Sequence, residues 1–323
     1  MSTLLIRYNE LGLKSPRVRS RFQKQLIKNI EDRFLRAGLD CIIDSDWGRI
    51  YLTNDSDDHD EEIRLLTTVF GISSISPVST TSDRIEDITK IVIGYAKELI
   101  VPGQSFAIRT RRTGKHSYTS MDLAKVLGSD VLDFFKNKKI RVDLTSPDVE
   151  IFIEVRHNQA FVFSESYEGP GGLPLGTQGK VLSIINGPQA YIASWLMMKR
   201  GCRVYPVFLR KKGSSSGIME GQAKKQVELL KQWVPNLDIK NIDLEEDSDD
   251  HLVLNGLNNT ELINFATWAK AKGVCISINY KEFSKASEQL KALTNKLPMF
   301  YPLIGLDDDE IQRLGRKIKQ ELI

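Results

Sequence analysis

A mixed α+β first half followed by a parallel α/β second half is the fold class this sequence predicts, and three observations carry the prediction. Between Leu4 and Ser166, β-prone runs and amphipathic helical stripes alternate irregularly, as in a mixed sheet layered with helices. From Lys180 onward strand and helix patterns alternate regularly, as in a parallel sheet. Between the two lies EGPGGLPLGTQGK, residues 168–180, whose five glycines and two prolines suit a linker or a chain crossing close to something. It is not a P-loop, because its Gly-Lys pair opens a strand and the G-K-[ST] spacing is absent.

The 323 residues suffice for two or three domains, with boundaries expected at 1–60, 61–168, a linker at 169–179, and 180–323. A formal net charge of +3 does not by itself announce a nucleic-acid binder. Cys41, Cys202 and Cys275 form no C-x-x-C pair, which fits a reduced cytosol and argues against a disulfide framework or zinc ribbon. His59, His116, His157 and His251 show no ligand spacing, so no metal site is expected. There is neither a membrane-length apolar run nor a signal-like start. The expectation is a soluble, cytoplasmic protein with no membrane partner.

Element by element, Leu4 to Tyr8 reads as a strand, and Ser15-Pro16 as a helix start with Ser as cap and Pro in the first turn. Val18, Phe22, Leu26, Ile30 and Phe34 form its apolar stripe, and Gly38 is its stop. Another side carries Arg17, Arg21, Lys24 and Lys28, with Arg19 alongside and Lys14 just before. Such a ridge is either a solvated face or a phosphate contact; the near absence of interleaved acids favours neither outright. Two strands around Asp46-Trp47-Gly48-Arg49 and the acidic loop at 55–60 close this region.

A helix over Ile63–Phe70, a strand in FGISSISPV after Gly71, a helix over Ser82–Ile100 and a strand over Ser105–Arg112 follow. Next come a capped helix over Ser120–Lys136 and two strands, Val149–Val155 and Ala160–Ser166, joined by a turn at His157-Asn158. Arg109, Arg111, Arg112 and Lys115 gather at the end of one strand and in its loop, with His116 and Tyr118 behind them. That grouping suits a nucleic-acid backbone with a stacked base, or an exposed turn paired with nearby acids. Two cationic clusters in the first half favour a shared polyanion.

In the second half, KVLSIINGPQAYIASWLMMKRG (residues 180–201) is laid out as strand, tight polar loop and helix. A parallel sheet places such a loop at its ligand end, and the first helix amides, which lack internal partners, suit a phosphate. Beyond it the pattern gives a strand at Cys202–Arg210, a Lys-Ser-Gly loop at 211–217 that is either solvated or a phosphate contact, and a helix at Gln222–Trp233. A strand at Leu237–Leu244 and an acidic loop follow, then a helix at Thr260–Lys272, a strand at Val274–Ile278, and helices at Ser284–Leu293 and Asp308–Leu322.

Three stretches together resemble the tRNA 4-thiouridine synthetase (ThiI) family. RYNELGLKSPRVRSRF is similar to its ferredoxin-like opening. FGISSISPV, the Arg109–Lys115 loop, VDLTSPDVEIFIEVR and GGLPLGTQGKV resemble its THUMP domain and exit linker. YIASWLMMKRGCRV resembles the first helix and second strand of its PP-loop domain, a Rossmann-like fold of the adenine nucleotide alpha hydrolase type. The likeness runs in family order to Arg210; after it only PLIGLDDDEI is readily matched.

The resemblance implies tRNA binding by the first two domains, ATP-dependent activation of a tRNA uridine by the third, and sulfur transfer from a cysteine persulfide. It also admits a homodimer. The activation motif S-G-G-x-D-S falls on Ile185, Asn186, Gly187, Pro188, Gln189 and Ala190, where only Gly187 agrees. The family's T-G-E-x-L-G-Q stretch reads SINYKEFSKASEQ, and the segment Asn255–Asn259, where the acceptor cysteine is due, contains none. Cys202 and Cys275 fall in or beside strands and read as core residues. The expectation is therefore a tRNA-binding relative of the sulfurtransferases without catalytic residues, metal or cofactor. An active thiolating enzyme using ATP and Mg is the first alternative, and a docking partner of an active sulfurtransferase paralogue is the second.

Overall fold

In the computed structural model the first helix, α1 (Pro16–Ala37), begins at the proline whose missing N–H costs nothing in a first turn. It ends where Gly38 takes φ +73°. There the Gly38 N–H reaches Leu35 O (3.2 Å) and the Leu39 N–H reaches Phe34 O (3.1 Å), closing the last turn. Phe22, Leu26, Ile30 and Phe34 are buried, as their four-residue spacing requires. The structure describes residues 2–8, 15–46, 48–54, 59–136, 138–211, 217–244, 260–283 and 297–320. Lys14, Trp47, most of the acidic loop at 55–60, the centre of the loop at 211–217, the acids at 245–250, His251, residues 255–259 and the helix expected over Ser284–Leu293 lie outside the described residues.

The chain forms two compact units. One takes in Met1–Tyr8, Arg33–Thr67 and Ser73–Gly169; the other takes in Asn9–Asp32, Thr68–Ile72 and Pro170–Ile323. The first unit is built on nine strands: β1 (Ser2–Arg7), β2 (Ile42–Asp46), β3 (Arg49–Asn54), β4 (Ser74–Ser82), β5 (Ser105–Thr113), β6 (Arg141–Val142), β7 (Val149–Arg156), β8 (Gln159–Phe163) and β9 (Tyr167–Glu168). They share one sheet in the order β2-β3-β1-β4-β8-β7-β5-β6, with β9 also on β4. The first two expected domains are thus joined through β4. Its residues 74–78 pair antiparallel with β1, and its residues 79–82 pair antiparallel with β8.

Helix α2 (Asp60–Leu66) starts earlier and ends sooner than the expected Ile63–Phe70, with Asp60, Glu61 and Glu62 favouring its positive end. Helices α3 (Ile85–Leu99) and α4 (Ser120–Phe134) cover one face of the sheet. They bury Ile88, Val92, Leu123, Leu127 and Val131 against Phe106, Ile151, Ile153 and Val162. Thr119 and Asp122 cap α4 reciprocally, each side chain taking the other's backbone N–H.

The opposite face closes on itself. Tyr51 of β3 stacks on Phe161 of β8 with ring centroids 5.0 Å apart, although β1 and β4 lie between them and a flat sheet would separate the strands by roughly 14 Å. Around these rings sits a buried ion cluster. Glu154 Oε1 is 2.7 Å from Arg49 Nε and 3.2 Å from Arg156 Nη1, and Glu154 Oε2 is 3.5 Å from Arg7 Nε. Arg156 Nε continues to Asp46 Oδ2 at 3.2 Å, and Arg7 Nη1 donates to Ser76 Oγ at 3.0 Å. Burial alone would raise the Glu154 carboxyl, but the guanidiniums of Arg49, Arg7 and Arg156 outweigh it and hold the group below its ordinary value.

The second unit carries β10 (Lys180–Ile184), β11 (Arg203–Lys211), β12 (Lys240–Leu244), β13 (Val274–Cys275) and β14 (Met299–Phe300), all parallel, in the order β12-β11-β10-β13-β14. Helices α5 (Ala190–Lys199), α6 (Gly217–Lys231) and α8 (Asp308–Gln320) share one core, in which Phe70, Trp195 and Trp233 contact one another pairwise. Helix α7 (Thr260–Ala269) supplies the core on the other face of the sheet. The glycine-rich linker presses on the end of α5: a Cβ at Gly172, where φ is +75°, would collide with Lys199 O. The basic half of α1 belongs to this unit, tied to the linker by Asn29 Nδ2 donating to Leu175 O at 3.2 Å. The two-residue strands β6, β9 and β14 had no signal in the sequence.

Glu154→Gln is expected to cost about 3–5 kcal/mol, since it leaves Arg7 and Arg49 without their carboxylate and Arg156 with Asp46, read as a lower urea midpoint. Because folding depresses this carboxyl, its contribution is complete above its ordinary value of 4.5 and is lost as pH falls through the lower folded value. The wild type should therefore show a stability loss in that acid range that Glu154→Gln lacks.

Candidate nucleic-acid interface and nucleotide-type loop

Residues 185–190 follow β10, the central strand from which the sheet runs to β11 on one side and β13 on the other. That crevice at the carboxyl ends of the strands is where open parallel sheets hold ligands. The loop is tightly tied. Ile185 is buried, and its N–H donates to Val207 O at 2.8 Å. Asn186 exchanges two bonds with β11, Nδ2 to Leu209 O (2.6 Å) and Leu209 N–H to Oδ1 (3.0 Å). A Cβ on Gly187 would stand 3.0 Å from Ser277 Oγ, so a larger residue there would have to displace that hydroxyl slightly. Pro188 is exposed.

The first amides of α5 already have acceptors. Ala190 N–H bonds Gly187 O (3.2 Å), and Ile192 and Ala193 N–H bond Gln189 O (3.0 and 3.3 Å). The remaining amide, on Tyr191, is taken by Gln226 of α6 at 3.1 Å, while Gln226 Nε2 donates to Gly187 O at 3.0 Å. Gln226 is a residue that sequence reasoning missed; a single glutamine on a helix carries no signal that it will reach across to cap another. Gln189, at the N-cap, makes no side-chain cap bond. The buried Ser183 and Ser194 hydroxyls lie 2.8 Å apart and fasten β10 to α5.

Both thiols of the unit are buried. Burial pushes Cys275 up to about 12 and raises Cys202 as well, so both stay protonated at neutral pH. Among the described residues no three His, Cys, Asp or Glu side chains converge as metal ligands. No helix among them is long and apolar enough to cross a membrane.

The cationic residues divide by unit. On α1, Arg17, Arg21, Lys24 and Lys28 are exposed and make no ion pair with the described residues, and Arg21 lies over the Phe22 ring. Arg19 is partly buried and has a partner. In the other unit Arg109 is bound to Glu150 Oε1 (2.7 Å) and Leu144 O (2.9 Å). Arg112 donates to Gly114 O (2.9 Å) and to His116 Nδ1 (3.2 Å). Arg111 and Lys115 are exposed without carboxylate partners among the described residues. Arg109 and Arg112 thus shape the loop, and Arg111 and Lys115 present its free charge. The ring of His116 does not serve as an open stacking surface: its side chain is 2% exposed, and Nε2 donates to His157 O at 2.7 Å. Tyr118 is held by its hydroxyl donating to Asp83 O at 2.6 Å.

Residues 3–76 match the ThiI ferredoxin-like domain, residues 82–165 the THUMP domain, and residues 176–263 the thiamine biosynthesis protein (ThiI) domain. The fold and these domains define a THUMP protein with a ThiI-type parallel-sheet domain. A probable tRNA sulfurtransferase of Methanobrevibacter smithii is 42% identical over 207 residues, covering 62% of this chain and 52% of that one. One from Methanosarcina mazei is 30% identical over 338 residues, covering 98% of this chain and 82% of its own. The chain belongs to the ThiI tRNA sulfurtransferase family. Among solved structures, PH1313 from Pyrococcus horikoshii superposes with a TM-score of 0.78 at 28% identity, covering 98% of this chain and 99% of that one. A 4-thiouridine synthetase–RNA complex with bound ATP shares the fold at a TM-score of 0.78 and 22% identity, over 100% of this chain and 86% of that one.

Gln226→Ala should lower stability by about 1–3 kcal/mol, by leaving the Tyr191 amide without an acceptor and the Gly187 carbonyl with the Ala190 N–H alone. Amide exchange should accelerate at Tyr191 and stay slow at Ala193, whose acceptor is retained.

Proposed function

We propose that this protein is a tRNA-binding member of the family without sulfurtransferase activity, working without ATP or metal in a cytoplasmic setting. One observation carries the loss of chemistry: Gln226 takes the helix amide that a phosphate would need, and the neighbouring amides are bonded within the loop. The side chains agree with it. Ile185 and Ala190 offer no hydroxyl and Gln189 no charge, so these three side chains supply neither to a pyrophosphate or its metal. This donor set does not fit a metal nucleotide.

RNA binding is supported by the THUMP domain, by the exposed cations Arg17, Arg21, Lys24 and Lys28 on one unit, and by Arg111 and Lys115 on the other. Phosphate contacts of this kind release counterions, so affinity falls with salt.

Two measurements test the proposal. Filter binding of unmodified tRNA should give a log–log salt slope of about −3 to −6, and Arg111→Ala with Lys115→Ala should reduce that slope by roughly two. No preference for tRNA over other polyanions would sink the RNA reading. Incubation of the protein with ATP, a persulfide donor and unmodified tRNA should yield no thiouridine; its appearance would restore the enzyme that the relatives' names describe.

A further inference from the structure

The α7 side of the parallel sheet carries a ladder of aromatic rings that the loop and the α1 ridge do not use. Lys180, the first residue of β10, sets its Nζ 5.5 Å from the Tyr205 ring centroid on β11. Tyr205 meets Phe265 of α7 edge-on at 6.4 Å, and Phe265 stacks on Trp268 at 5.4 Å with planes 16° apart. The ladder climbs from the core margin into water: Tyr205 and Phe265 border the core, whereas Trp268 is 72% exposed. Leu262, Ala266 and Ala269 already supply the buried side of α7, so packing does not account for an indole on its outer side.

Cations ring this ladder. The Lys272 N–H bonds Lys180 O at 2.8 Å, the Arg203 N–H bonds Gly179 O at 2.8 Å, and Lys270 follows Trp268 by two residues. Lys180, Arg203, Lys270 and Lys272 have no carboxylate partner among the described residues. The only acid of α7, Glu261, sits in its first turn and pairs with Lys240 at 3.4 Å, about 10 Å along the helix from Trp268.

An apolar partner would bury four uncompensated positive charges, and a duplex offers no free base face. A single strand answers both features, with a base on the indole and phosphates on the ammoniums. We propose that Tyr205, Phe265 and Trp268, with Lys180, Arg203, Lys270 and Lys272, bind an unpaired RNA segment. The site lies at the amino-terminal ends of β10 and β11, about 16 Å along the strands from the loop at 185–190. The proposal rests on the tRNA reading only for its natural ligand; the chemistry of the patch stands without it.

The test uses the full chain and anisotropy at low salt with three probes: a fluorescein-labelled oligouridine of about ten nucleotides, unmodified tRNA, and inorganic polyphosphate as competitor. Trp268→Ala, an exposed change that leaves the core intact, should weaken oligouridine binding about 5- to 100-fold, while Trp268→Phe retains most of it. Equal affinity of Trp268→Ala and wild type for oligouridine overturns the proposal. So does polyphosphate displacing oligouridine equally well from both, which marks a purely electrostatic surface. Trp268-dependent oligouridine binding by a protein that ignores tRNA would uphold this site and sink the tRNA reading; tRNA binding with an indifferent Trp268 would do the reverse.

Discussion

The first unit depends on how Glu154 is neutralised. One carboxylate faces Arg7, Arg49 and Arg156, which arrive from three strands, and Asp46 holds the far side of Arg156. Buried charges are costly unless every one finds a partner, so the two halves of the sheet are admitted only in the register that brings these residues together. The stacked pairs Tyr51–Phe161 and Phe152–Phe163 supply the apolar contact beside them. Strand β4, shared by both halves, provides the covalent continuity, and the ion cluster selects the angle of closure.

The second unit separates frame from chemistry. Its strand order, the turn after β10 and the buried α5 are what a nucleotide-holding parallel sheet has. Hydrophobic burial around Trp195 and the Ser183–Ser194 contact maintain that frame whatever the loop contains. At the start of α5 the N–H groups of Ala190, Tyr191, Ile192 and Ala193 are all engaged by the loop's own carbonyls or by Gln226, so the turn is held by the same frame. The core thus fixes the outline of the crevice independently of the side chains at its rim.

Local features of the fold were legible in the sequence because their causes are local. Pro16, Gly38 and the apolar stripe of α1 act within a few residues, and a strand-loop-helix pattern followed by parallel-sheet alternation places residues 185–190 at the ligand end. What escaped the sequence is made of distant pairs. Arg7 and Glu154 are 147 residues apart, and no periodicity links them. Gln226 reaches Tyr191 across 35 residues, and His116 is covered by a carbonyl 41 residues on. The same limit explains Arg109 and Arg112: their charge was visible, but their engagement by Glu150, Leu144 and Gly114 was not. The exposure of Trp268 likewise has no signal in the sequence, because a lone aromatic residue on a helix does not declare which side it faces.

The bond between Asn29 and Leu175 spans 146 residues, and the unit that contains it is gathered from three separate stretches of chain. The order of assembly follows from that connectivity. During synthesis the basic half of α1 emerges early, but its anchor on the linker is made only after the whole intervening sheet has left the ribosome. The amino-terminal cations therefore reach their final position late, through long-range closure of the kind that slows folding. Between the synthesis of α1 and that of Leu175 the nascent chain carries a basic rod without this anchor, and the strands of the second unit follow it in the chain.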